Sequence, residues 1–296
     1  MSESEVQAVR LNLGCGGDLQ AESARLQQAQ ELSELALKLT PMLNCNPIWS
    51  ALWARAEKAD GGLSVEAPPF KFDWAEYCNR SAPLLVAPEG SQLEEIARET
   101  VRGLLAQVNQ HFFTGEEPTA LCGVNSWCRP SGIYGGVNFA LLPIRSGGYD
   151  SCEYDVSDRE LLQTYISGCC LGKEAPDMIV SSPSLWEQAA ERFTRLVYRV
   201  SAVDLQDVDG SSCTRGFGFY GVPWFSMDEV PARSIYVLTL GQVRLFSPDP
   251  GRPLSLVMLK NDEDGWSVVA KVRLQIACGR PSSCYRIAGV RSVSKA

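Results

Sequence analysis

The sequence predicts an α+β fold in which helices and antiparallel strands occupy separate stretches of the chain. Two observations carry this. Leu93, Ile96, Ala97, Val101, Leu104, Val108 and Phe112 form one apolar stripe at helical spacing, on a rod of about 22 residues and roughly 33 Å. The last third, from GFGFYGVPWFSMDEVPARSIYVLTLGQVRLF to KVRLQIACGRPSSCYRIAGV, holds at least four strands in succession, punctuated by Gly221-Val222-Pro223, Gly241 and Pro248 to Pro250. With 296 residues, 45% of them hydrophobic, the chain buries a substantial core and is not disordered.

The elements follow in order. Leu26, Ala29, Leu32, Leu35, Ala36 and Leu39 predict an amphipathic helix over residues 19–40, ended by Pro41. From Met42 to Pro88 periodicity breaks down, and large aromatics (Trp49, Trp53, Phe70, Phe72, Trp74, Tyr77) stand among Gly and Pro pairs. A segment that long with little regular structure reads as loops that either lie on a partner or fold onto their own core. Ser91 and Glu94 form a capping box for the long helix, and His111 at its far end reads as a C-terminal cap. Gly132 to Gly148 reads as hairpins, and Ser157 with Glu160 opens a second capped helix that runs to Gly172. APDMIVSSP is a short buried strand, and Ser182-Pro183 starts a helix packed through Leu185, Ala189, Phe193 and Leu196. Val268, Ala270, Val272, Leu274 and Ile276 alternate with Lys271, Arg273 and Gln275, which predicts a half-buried strand.

Composition removes several function classes. No run of about 18 apolar residues exists to span a membrane. The N-terminal MSESEVQAVR has no signal-peptide pattern, so folding in a cytoplasm is expected. Net charge is −8 without a Lys/Arg cluster, which argues against a grip on nucleic acid. The eleven cysteines include no C-x-x-C, and His111 is the sole histidine, so neither zinc nor any cofactor is expected. Most of these thiols read as small buried apolar groups, and some could oxidise once a particle leaves the reducing cell. Cys15, Cys45, Cys78, Cys122 and Cys128, in loop-rich stretches, are the disulfide candidates; Cys169 and Cys170 share one helix and point apart.

Catalytic motifs are thin. VRLNLGCGGDL, residues 9–19, is a strand running into a glycine turn and resembles the first motif of methyltransferases that bind S-adenosylmethionine. The second strand ending in an acid that such a fold needs is missing, and the remainder does not alternate strand with helix. A Ser or Cys nucleophile would have only His111 as a histidine base, and no G-x-S-x-G or phosphate-loop motif occurs. Asp207-Val208-Asp209-Gly210 is too short for a calcium loop, and NDEDG (261–265) reads as a polar hairpin turn. No enzyme is expected.

Order and motifs together resemble the major capsid proteins of tailed bacteriophages, the Hong Kong 97-type fold. The long helix ending in FFTGEEPTALCGVNSW is similar to that family's spine helix. RELLQTYISGCCLGKEAPDMIVSSPSLWEQAAERF resembles its paired helices around a short strand, and the strand-rich end resembles its fold-back and terminal strands. The likeness runs over residues 89–296. It implies an N-terminal arm (1–53), an extended loop (54–88), a peripheral domain with the spine helix (89–128) and return strands (244–278), and an axial domain (129–243) with a C-terminal strand (279–296).

The resemblance also implies a function. It is self-assembly into the hexamers and pentamers of an icosahedral head, built in a host cytoplasm and enclosing double-stranded DNA without specific binding. Partners would be further copies of the chain, a portal, and cement or scaffolding proteins. An encapsulin-like nanocompartment shell is the alternative, and the methyltransferase a remote one. Trp49, Trp53, Phe70, Phe72 and Trp74 are the candidate intersubunit contacts, and residues 1–53 are expected to add little to the subunit's own core. No Asn matches the position of the family's Lys–Asn cross-link, so no cross-linking residues are assigned.

Overall fold

The structure, a computed structural model, describes residues 19–59, 63–66, 69–115, 121–129, 131, 133–134, 137–138, 149–150, 162, 166, 175–193, 205–206, 213–214, 216–261 and 265–291. The chain opens with helix α1 (Leu19–Leu39), a 3-10 turn (Thr40–Asn44) and helix α2 (Pro47–Trp53). Asn46 caps α2 by accepting the Trp49 N–H at 3.1 Å, and Pro47 supplies the preset first turn. Strands β1 (Glu57–Lys58), β2 (Leu63–Glu66), β3 (Pro69–Phe72) and β4 (Ala75–Arg80) follow, with β2 and β3 joined as a hairpin. The stretch expected to be irregular is therefore largely ordered. β4 alternates Ala75 and Tyr77 inward with Glu76, Cys78 and Arg80 outward, a period too short to stand out in a six-residue strand.

Helix α3 spans Gly90–Thr114, 25 residues, and the predicted stripe is its buried face, with Ile96 half-buried. The capping box is not formed: Glu89 occupies the cap position without a side-chain bond, and Glu94 instead pairs with Lys38 at 2.7 Å and Arg98 at 3.0 Å. Those two cations hold the Glu94 carboxyl below its usual range. Gly103 lets the helix lie close on β4, since a Cβ there would overlap Asn79 Nδ2, which donates to the Thr100 carbonyl.

After α3 come a single turn, α4 (Val124–Trp127), and the short pairs β5 (Ile133–Tyr134) with β6 (Val137–Asn138), then β7 (Tyr149–Asp150). Of the helix expected at 157–172, Leu162 and Ile166 are described; both are helical and buried. β8 (Met178–Ser181) and α5 (Pro183–Phe193) stand where the sequence placed them. Then follow β9 (Leu205–Gln206), β10 (Cys213–Thr214), β11 (Gly216–Phe219), β12 (Val222–Ser226), β13 (Ser234–Leu238), β14 (Val243–Ser247), β15 (Leu254–Asn261), β16 (Gly265–Cys278) and β17 (Tyr285–Ala288).

Two sheets organise the molecule. In the first, the 14-residue β16 pairs antiparallel with β15, β4 and β14, and β1 adds parallel to β14. In the second the order is β11-β12-β8-β13-β17-β7. Neither is the doubly wound parallel sheet a methyltransferase would need, since most of the pairs are antiparallel. The glycine turn at 14–17 lies outside the described residues.

The second sheet is buried on both faces, because alternate residues feed different cores. Met178, Val180, Tyr236, Leu238 and Phe225 join α1, α2, α3 and the first sheet in one core. Ile179, Ile235, Val237, Trp224 and Ile287 join Leu185, Ala189 and Phe193 of α5 in the other. The sheet is thus a shared wall.

The N-terminal segment departs most from expectation. Leu32, Leu35, Ala36, Leu39, Met42, Leu43, Ile48, Trp49 and Leu52 are all buried in the first core. Only the start of α1 fits a free arm, with Leu26 47% exposed. The expectation that residues up to 53 add little to the subunit core is corrected: α2 plugs apolar side chains between α3 and the first sheet, and α1 lies along β15.

Candidate functional site

Nothing described assembles a reaction centre. Among the described residues no group of three or more His, Cys, Asp or Glu could hold a metal ion. The sole histidine is engaged in packing. Tyr77 Oη accepts the Leu121 N–H at 3.1 Å and lies 3.0 Å from His111 Nδ1, so its own O–H is placed to donate to that nitrogen. The rings lie 5.4 Å apart, and burial pushes the Tyr77 phenol up to about 12. His111 therefore ties α3 to β4, where a C-terminal cap was expected. Asp207, Asp209 and residues 262–264 of NDEDG lie outside the described residues; Asn261 and Gly265, at the ends of β15 and β16, stand opposite each other.

Two buried amides, Asn109 and Gln275, tie the elements together. Asn109 Oδ1 accepts from Trp49 Nε1 at 2.5 Å and from Asn46 Nδ2 at 3.4 Å, while its Nδ2 donates to Glu229 Oε1 at 2.9 Å. One side chain thus joins α2, α3 and the turn after β12. Gln275, 2% exposed, accepts the Cys122 and Ile276 N–H groups at 2.8 and 3.0 Å and donates to the Asp73 carbonyl at 2.8 Å. Each amide has both its oxygen and its nitrogen bonded to fixed partners, which is how a structural polar group survives when buried.

The cysteines divide the same way. Cys122 and Cys128 lie in irregular stretches, as read from the sequence, but are fully buried. Cys128 donates to the Cys284 carbonyl at 3.5 Å. The Cys278 and Cys284 thiols are hydrogen-bonded to each other, and burial pushes the Cys278 thiol well up. Cys45 is half-buried beside Asn109, and Cys78 is exposed on β4. Cys15, Cys169 and Cys170 lie outside the described residues.

Of the aromatic contact candidates, Trp49 is 2% exposed and meets Phe112 edge-on at 5.6 Å, so it serves the subunit's own core. Trp53 and Trp74 are half-buried on the core's rim, and the Arg273 guanidinium lies 5.4 Å above the Trp74 ring. Phe70 and Phe72 sit on β3, opposite Val65 and Leu63; their side chains are outside the described set. Sequence reasoning missed Leu85 and Val86, which are 96% and 77% exposed beside the β15–β16 turn. Their signal was an apolar Leu84-Leu85-Val86 triplet trapped between Pro83 and Pro88, too short for a strand or helix.

No protein-family model matches the sequence, and no curated protein matches it. Solved structures do. The holo-SrpI encapsulin complex from Synechococcus elongatus PCC 7942 superposes with a TM-score of 0.56 at 14% identity, over 85% of this chain and 90% of that one. The cyanophage A-1(L) capsid gives 0.51 at 11% identity, over 79% of this chain and 86% of that one. The fold is that of capsid-like shell proteins, as the motif order in the sequence implied.

Proposed function

We propose that this chain, with its capsid-type fold, is the major capsid protein of a tailed phage, assembling into hexamers and pentamers of an icosahedral head around double-stranded DNA. The observation that carries the reading is the fold, shared over most of its length with proteins whose solved forms are shells. The interior supports it. The buried amides of Asn109 and Gln275 join α2, α3 and the first sheet, which suits a subunit that must hold shape under many weak, repeated contacts.

In this reading residues 1–53 form an arm anchored by α1 and α2, and residues 54–88 form the extended loop, with the β2–β3 hairpin as its tip. Residues 89–128 and 244–278 form the peripheral domain, and 129–243 with 279–296 the axial domain. Neighbouring copies meet through Phe70, Phe72, Trp53 and Trp74, with Leu85 and Val86 added from their exposure. A portal, and cement or scaffolding proteins, would complete a head assembled in a host cytoplasm.

A second reading, a nanocompartment shell, is favoured by one observation: the encapsulin superposes more fully than the phage capsid. Negative-stain microscopy of the expressed full-length chain tests both. Closed particles are expected, and a species eluting only as monomer or dimer sinks either reading. Portal and terminase genes beside the coding sequence mark a phage, and a cargo-enzyme gene marks a compartment. Leu85→Glu with Val86→Glu should leave a folded subunit that no longer closes shells, because a charge on an exposed knob costs little until a neighbour must desolvate it.

A further inference from the structure

A cavity of about 540 Å³ opens on the face of the first sheet turned away from α3, beside the Ser247–Pro253 turn. Most of its strand residues face outward, with Tyr77, Val272 and Ser247 buried at its floor. Cys78 on β4 stands opposite Lys271 on β16, and Lys271 stands opposite Ser255 on β15, so a thiol, an ammonium and a hydroxyl form one row across three strands. Arg273, one outward position further along β16, is already engaged: it pairs with Glu76 at 3.1 Å and lies over Trp74. Asp249 accepts the Gly251 N–H at 3.2 Å but keeps its charge, so Glu76 and Asp249 stand against Arg252, Lys271 and Arg273 and the lining is left with an excess of positive charge. Lys271 and Arg252 also line the cavity, and among the described residues neither has a carboxylate partner.

Ser247 adds an independent sign. It lines the same cavity, is 0% exposed, and its Oγ has no hydrogen-bond partner. A buried hydroxyl left unpaired costs about 1–3 kcal/mol, so its presence calls for a group that completes it. Acids outnumber bases in this chain, 35 to 27, so two cations in one cavity without a partner do not reflect any shortage of carboxylates. The volume falls in the range of small-ligand sites, about 300–1,000 Å³.

We infer that this cavity binds a small oxyanion-bearing ligand, an organic phosphate or polycarboxylate, between Lys271 and Arg252, with the Ser247 and Ser255 hydroxyls as further donors. The anion gives both cations a partner and supplies the acceptor that Ser247 lacks. Cys78, exposed next to Lys271, is a built-in reporter of occupancy. The inference stands whether or not the chain builds shells.

The test uses the purified full-length chain at low salt, titrated with inorganic phosphate, pyrophosphate and citrate. Calorimetry should show saturable binding. The reaction of Cys78 with an anionic aromatic disulfide reagent, isolated by subtracting the Cys78→Ser variant, should slow as the site fills. Lys271→Ala and Arg252→Ala should each weaken binding by about tenfold, the scale of a lost charge-assisted bond. Arg80→Ala, on the same face of β4 but outside the cavity, should leave it unchanged. No binding at about 10 mM, well above a millimolar dissociation constant, overturns the inference. So does equal weakening by Arg80→Ala and Lys271→Ala, which would mean only diffuse attraction to the sheet face.

Discussion

Asn109 decides whether α2 belongs to the subunit. Its Oδ1 is the acceptor for Trp49 Nε1 and Asn46 Nδ2, and both residues are buried. Asn109→Ala removes that acceptor and orphans two buried donors. At about 1–3 kcal/mol per orphaned buried group, and with Asn46 keeping the weak Cys45 sulphur contact, the loss is about 2–4 kcal/mol. Trp49→Phe keeps most of the ring against Phe112 but removes the indole N–H, so it costs about 1 kcal/mol for the bond and a little packing. In the double variant no indole donor is left to orphan, and the two losses should fall short of their sum by about 1–2 kcal/mol. Urea unfolding of the unassembled chain, followed by circular dichroism, measures this cycle. Additivity within about 0.5 kcal/mol would refute the coupling and return α2 to the status of a free arm. The same geometry predicts that a chain lacking residues 1–53 does not fold on its own, since α2 and the buried end of α1 leave with it.

Three further outcomes follow from single positions. Tyr77 keeps its proton in the folded chain up to about 12, whereas the unfolded chain releases it near 10.0, so its stabilising effect is full below pH 10, declines as pH rises toward 12, and the alkaline slope of stability should flatten in Tyr77→Phe. Gln275→Leu leaves the Cys122 N–H without an acceptor in the core and should cost about 1–3 kcal/mol in the same urea assay, with no loss meaning that the 121–123 loop is not docked on β16. Gly265 has φ +86, and a Cβ there would overlap the Leu84 carbonyl oxygen, so Gly265→Ala should destabilise the chain by about 1–3 kcal/mol and open the Leu84–Trp266 bridge, read as faster amide exchange at Trp266.

Where the sequence was legible, one period ran long enough to outvote local noise. α3 carries its stripe from Leu93 to Phe112, more than five turns at about 3.6 residues each, and β16 alternates apolar with polar residues from Ala270 to Ile276, so both were visible from apolar spacing alone. Gln275 shows the limit of that signal. It sits at an outward position of the β16 alternation yet is buried, because the 121–123 loop and Asp73 cover it with groups it can bond. No spacing rule announces that a distant loop will arrive. The capping box failed for a related reason: Glu94 has a cation from α1, Lys38, within reach, and that contact lies 56 residues away in sequence.

The N-terminal segment was misread through the length of its elements. α2 has seven residues and β4 six, so neither holds enough repeats for a period to emerge, and the aromatics among them looked like exposed contacts. The local chemistry did mark α2. Asn46-Pro47 is a cap followed by a first-turn proline, and the apolar triad Ile48, Trp49 and Leu52 then follows at helical spacing, all of it buried. Weighing that signature against the proline and glycine pairs around it would have placed a short helix with one apolar face. Such a face must be covered by something, and in this chain α3 and the first sheet cover it. A shell built from this subunit would therefore inherit an arm rooted in its own core. Among the described residues, surfaces open to solvent and so free to reach a neighbour include the Leu85–Val86 knob and the outer face of the first sheet.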